Sequence, residues 1–165
     1  MARREDVDRT RFGIWGANVG AYAAVVAAAA DSRVRAIAVD SVYDRPVDML
    51  RLEVQRSGLS ALPLMERATA LGFQLLNRSN RREPRLSLRV TGLSGVSKLY
   101  IQASDEPELA QSTRELFVRS PAPREQLILA RDNYAGMVDE DKRDYENRVV
   151  GFFLLNLPSS TAPRR

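Results

Sequence analysis

Residues Phe12 to Ala30 read FGIWGANVGAYAAVVAAAA, and this stretch decides the fold. Phe12 to Trp15 is a short apolar run closed by Gly16, the pattern of a strand buried on both faces. Ala21 to Ala30 carries strong helix formers and no breaker before Asp31. Between them, Gly16-Ala17-Asn18-Val19-Gly20 must turn the chain sharply. Small residues suit a turn where backbone and helix pass close, and asparagine tolerates a positive φ at its tip. Val34 to Val39 (VRAIAV) follows as a second apolar, β-branched strand. Strand, helix and strand within about 30 residues make a βαβ unit, hence a parallel pair with a right-handed crossover.

The rest of the chain continues the alternation. From Pro46, Val47, Leu50 and Val54 sit three or four apart, and Gly58 closes a helix. Leu62 to Leu76 reads as another, with Leu64, Ala68, Leu71 and Leu75 on one face. Asn77 to Pro84 is a polar loop, and Leu86 to Gly95 fits neither period. Lys98 to Ala103 (KLYIQA) is a third buried strand, and Pro107 to Val118 a helix with Leu109, Leu116 and Phe117 inward. Gln126 to Ala130 is a fourth strand. Asp139 to Leu157 is the last helix, striped by Tyr145, Val149, Phe152 and Phe153 and stopped by Pro158. Its opening Asp139-Glu140-Asp141 suits a helix dipole rather than a metal. Phe12 and Trp15 are assigned to the core. The expectation is one domain over residues 1–165, with residues 1–10 and 159–165 as flexible ends. It is a three-layer α/β/α domain with about four parallel strands.

Composition narrows the chemistry. The sequence has no cysteine, which removes thiol catalysis, disulfides and thiolate metal sites. It has no histidine, so the commonest general base and zinc ligand are missing as well. No cofactor or metal is implied. Of 25 basic residues only Lys98 and Lys142 are lysine, against 21 acidic ones, and the net charge is +4. No arginine run is interleaved with aromatics, so no nucleic-acid partner is expected. The first eleven residues are charged with no apolar core behind them, and Ala21 to Ala30 is too short to span a bilayer. The default is a soluble, cytoplasmic protein without a membrane partner.

Three stretches carry a family resemblance. RFGIWGANVGAYAAVVAAAADSRVRAIAVDSVYD resembles the nucleophile-elbow region of α/β-hydrolases related to serine aminopeptidases and dienelactone hydrolases, where strand, G-x-S-x-G and helix follow one another. KLYIQASDEPELAQSTRELF resembles their strand, acid loop and helix. EQLILARDNYAGMVDEDKRDYENRVVGFFLLNLP resembles their final strand, histidine loop and terminal helix. The resemblance runs from Arg11 to Pro158 and matches the C-terminal half of such a hydrolase, whose first four strands have no counterpart here. It places Asn18 at the serine position and Asp105, or Glu106, at the acid position. Tyr134, with Asn133 beside it, takes the histidine position. It therefore implies a degenerate triad with no intact catalytic residue.

Each of these residues also has a plain structural reading: Asn18 as a turn residue, Asp105 as the cap of the helix at Pro107, Tyr134 as a loop aromatic. Strands in sequence order would leave Phe12–Trp15 as an apolar edge, available to a second copy, to a partner chain, or to the upstream part of a longer protein of which this chain is a fragment. The same order puts every crossover helix on one face and only the last helix on the other. An exposed apolar surface is expected. Three functional readings follow. One is a non-catalytic hydrolase-like binding or assembly module, and one is a hydrolase with an unusual or partner-completed site. The third is an anionic-ligand module using Arg45 and Arg131 at the carboxyl edge of the sheet.

Overall fold

Four strands lie side by side in the order β1-β2-β3-β4, every neighbouring pair parallel. They are β1 (Phe12–Ala17), β2 (Val34–Asp40), β3 (Ser97–Ala103) and β4 (Arg124–Leu129). The helices are α1 (Val19–Ala30), α2 (Pro46–Arg56), the single turn α3 (Leu86–Arg89), α4 (Pro107–Arg119) and α5 (Asp139–Asn156). The structure is a computed structural model and describes residues 8, 10–56, 71, 85–131 and 137–157. The expected helix at Leu62–Leu76, the loop at Asn77–Pro84 and the chain ends fall outside the described residues, apart from Leu71, Asp8 and Thr10.

Continuous apolar runs become the central strands because both of their faces are covered. Ile37, Val39 and Tyr100 pack with Ala21, Ala24 and Val25 of α1, Leu86 of α3 and Leu116 of α4. Ala36, Ala38, Leu99 and Ile101 turn the other way, onto Tyr145, Val149 and Phe152 of α5. Each fully buried Leu or Ile contributes about 1.5–3 kcal/mol relative to exposure. Among the described residues the last helix alone covers its face, as the strand order requires.

Leu86 to Gly95 resolves into α3 followed by a 3-10 turn, Val90–Gly92. What holds α3 comes from far away in sequence: Asp44 accepts the Leu86 N–H on its carbonyl (3.0 Å) and the Ser87 N–H on its carboxylate (2.7 Å). Thr113 of α4 joins this loop to the core by exchanging two hydrogen bonds with the Val42 backbone.

One core assignment is corrected. Trp15 is 48% exposed and Phe12 is only half-buried, with the Arg33 guanidinium over its ring. The apolar run was read as a strand covered on both faces. β1 is the edge that the strand order predicts, and α5 meets it at Gly13, where an added Cβ would lie 2.6 Å from Phe153 and Leu157, and at Trp15 through the Tyr145 hydroxyl.

Candidate functional site

The elbow is built as the glycine pattern suggested. Asn18 sits between β1 and α1 with φ 52° and ψ −115°, a positive φ that side chains rarely adopt. Its N–H donates to the Asp40 carbonyl (2.9 Å), and its own carbonyl accepts the Tyr22 N–H (3.1 Å), starting the helix. The two glycines of the turn are not equivalent. A Cβ on Gly16 would overlap the Gly20 carbonyl and lie 2.8 Å from the Ala21 nitrogen, whereas one on Gly20 meets nothing. Close approach therefore demands glycine only at position 16.

Asp105 stands in the exposed turn that ends β3, two strands from Asn18. It is not the cap of α4. That position belongs to Glu106, whose side chain makes no cap hydrogen bond. Pro107 in the first turn and the Glu106 carbonyl, which accepts the Ala110 N–H at 2.8 Å, start the helix instead. Tyr134 and Asn133 lie outside the described residues. Asn18 and Asp105 thus share the carboxyl edge of the sheet, with the end of β2 between them.

That intervening end holds a polar chain that sequence reasoning missed. Asp40, only 6% exposed, accepts the Tyr145 hydroxyl proton on Oδ2 (2.8 Å) and the Ser41 hydroxyl on Oδ1 (2.9 Å). Tyr145 in turn accepts the Trp15 indole N–H (2.8 Å). Ser41 also holds a positive φ, 55°. The partners are 105 and 130 residues apart, so no local pattern announces them. Chemically the chain fixes a buried carboxylate and ties α5 to β1 and β2. Both Asp40 oxygens are engaged by hydroxyls.

The two arginines proposed for an anion are not brought together by any contact. Arg45 forms a two-pronged pair with Asp48, Nε at 3.1 Å and Nη2 at 2.9 Å, and this partner holds its proton more firmly than usual. Arg131 is exposed at the rim of a hollow of about 250 Å³ that also presents Asp141, Asp144 and Tyr145. An open groove of about 720 Å³ runs along α4, lined by Gln102, Gln111, Arg114, Glu115 and Arg119. Neither hollow is lined by Asn18 or Asp105. Among the described residues no three acidic, histidine or cysteine side chains gather as metal ligands, and no helix is long and apolar enough to cross a membrane.

No family model matches the sequence, and no curated protein matches it. Solved structures do match. The α/β hydrolase GrgF from Penicillium sp. sh18 superposes with a TM-score of 0.64 at 17% identity, over 92% of this chain and 66% of its own. MenH from S. aureus gives 0.58 at 15% identity, over 89% and 69%. The enol-lactonase from Burkholderia xenovorans LB400 gives 0.56 at 16% identity, over 87% and 66%. The chain thus spans about two thirds of the length of these proteins. At such identities a likeness speaks for architecture, and the architecture agrees with the elbow, the parallel order and the layer arrangement: this chain has the α/β-hydrolase fold.

Proposed function

We propose that the protein is a non-catalytic relative of the α/β-hydrolases, acting as a binding or assembly module on that scaffold. The observation that supports it most is Asn18 at the tip of an otherwise well-formed elbow, in a chain with no histidine anywhere. Hydrolysis by this fold needs an attacking oxygen at the elbow and a base to take its proton. A carboxamide supplies neither. Among the described residues, the one serine near the sheet's carboxyl edge with a strained backbone, Ser41, is 1% exposed and spends its hydroxyl on Asp40. The Arg45–Asp48 pair likewise weighs against an anion bound at Arg45.

A screen with short acyl esters and labelling with a serine-reactive phosphonate test this reading. The expected result is no turnover above the buffer rate and no labelled residue. Turnover that disappears in Asn18→Ala or Asp105→Ala would refute it, and would favour a hydrolase with an unusual site. Restoring the hydroxyl alone should change nothing: Asn18→Ser is expected to stay inactive, because it still lacks a base.

A further inference from the structure

The two edges of the sheet differ in kind. The β4 edge is charged, beginning Arg124-Glu125, and Glu125 is bridged by Arg148 of α5 at 2.7 Å. Charges of this sort discourage edge pairing. The β1 edge, FGIWGA, carries no charge. Its backbone phase is fixed by two hydrogen bonds to the β2 side, Phe12 N–H to the Arg33 carbonyl and Asn18 N–H to the Asp40 carbonyl. The even-numbered residues therefore bond to β2. The N–H and C=O groups of Gly13, Trp15 and Ala17 point away from the sheet.

Apolar surface flanks this edge on both faces. On one face, α5 turns one flank to β4 through Arg148 and the opposite flank to Gly13 through Phe153 and Leu157. Val150 precedes Leu157 by seven residues, two helical turns along the same β1 flank, and is 56% exposed. Trp15 lies on the same face, bonded to Tyr145. On the other face α1 packs over β1 and β2. It has no charged residue in twelve, yet only Ala21, Ala24, Val25 and Ala28 are buried. A helix that is apolar all round is normally enclosed.

We propose that β1 is the seam of a homodimer, in which two copies pair antiparallel about a two-fold axis normal to the sheet at Trp15. This makes one continuous eight-stranded sheet. Trp15 faces Trp15 of the second copy, and Gly13 faces Ala17 in both directions, so every outward group of the three residues finds a partner. A second copy fits better than a foreign strand for three reasons. The outward row is centred on Trp15 with a small residue on either side. It is neutral, so like meets like without repulsion. An axis normal to the sheet also keeps each face on its own side, bringing the two α5 flanks together and the two α1 helices together. Three residues of strand do not reach the roughly 800 Å² per partner of a standard interface, so the helix flanks must join in. The proposal rests on the assembly reading above and not on the loss of catalysis.

Light scattering coupled to size-exclusion chromatography tests it on the full chain. The expected mass is twice 18.5 kDa. Trp15→Lys and Val150→Glu should each raise the dissociation constant at least about tenfold with an unchanged far-ultraviolet spectrum. Val150→Glu alone decides if the Trp15 variant fails to fold. Because the sequence has no cysteine, Trp15→Cys offers a single thiol, which should oxidise to a covalent dimer only if position 15 meets itself. The proposal is overturned by a wild-type chain of single mass at every concentration. It is equally overturned by a dimer that neither charge variant weakens, or by one that Trp15→Cys cannot lock. A monomer without esterase activity ends the seam and leaves the non-catalytic reading; an active dimer does the reverse.

Discussion

The hydroxyl of Tyr145 is the joint of the carboxyl edge. It accepts a hydrogen bond from the Trp15 indole N–H and donates one to the Asp40 carboxylate, so one oxygen couples α5 to two strands. Tyr145→Phe keeps the ring in its apolar slot and removes only this joint. It leaves a buried carboxylate short of a donor, and a loss of about 1–3 kcal/mol is expected in urea unfolding. Adding Asp40→Asn to that variant should cost less than it does in the wild type, because the bond is already gone. At this scale the sequence was half legible. Tyr145 belonged to an apolar stripe, and the stripe is buried. Its two polar partners were invisible, since they meet only after the whole sheet is folded. Asn18 was legible because glycine spacing marks a tight turn locally. Its actual strain, of order 1–3 kcal/mol, is tolerated because its N–H is committed to the end of β2.

The elbow is an element whose two glycines look alike in sequence and differ in the fold. Gly16 faces the backbone of the α1 first turn, which no rotamer change can move aside. Gly16→Ala should destabilise by about 1–3 kcal/mol or more. Gly20 is a helical residue with open space beside it, and Gly20→Ala should stabilise by up to about 1 kcal/mol. Thermal melts of the two variants should move in opposite directions. Strands, their order and the one-sided placement of α5 were legible, because period and connection rules are local. Bounds agreed to within two residues for β3, β4 and α5. Not legible was α3, which depends on Asp44 from 43 residues away. For Trp15 the sequence held two competing signals, an apolar run that suggests core and a strand order that places it on an edge, and the edge decides, leaving the ring 48% exposed.

For the molecule as a whole, two buried groups on β3 shape stability at alkaline pH. Lys98 is fully buried and donates to the carbonyls of Leu93 (2.6 Å) and Val96 (2.5 Å). Burial, with the nearby Arg124 charge second, lowers its pKa from 10.5 to about 8. The unfolded chain keeps this proton to higher pH, so its contribution to stability grows as pH rises from about 8 towards 10.5. Tyr100 behaves oppositely. Burial raises it from 10.0 to about 12 despite its bond to the Ser120 hydroxyl, so its contribution is lost as pH climbs from 10 to 12. Denaturation midpoints should rise and then fall with a maximum near pH 10, Lys98→Met flattening the ascent and Tyr100→Phe the descent. The edge where β1 ends the sheet has a different sort of consequence. The sequence contains one tryptophan, and it sits there, half in water. The molecule thus carries its own optical gauge: whatever comes to rest along that rim dries an intrinsic fluorophore, and the emitted light turns bluer with no label added.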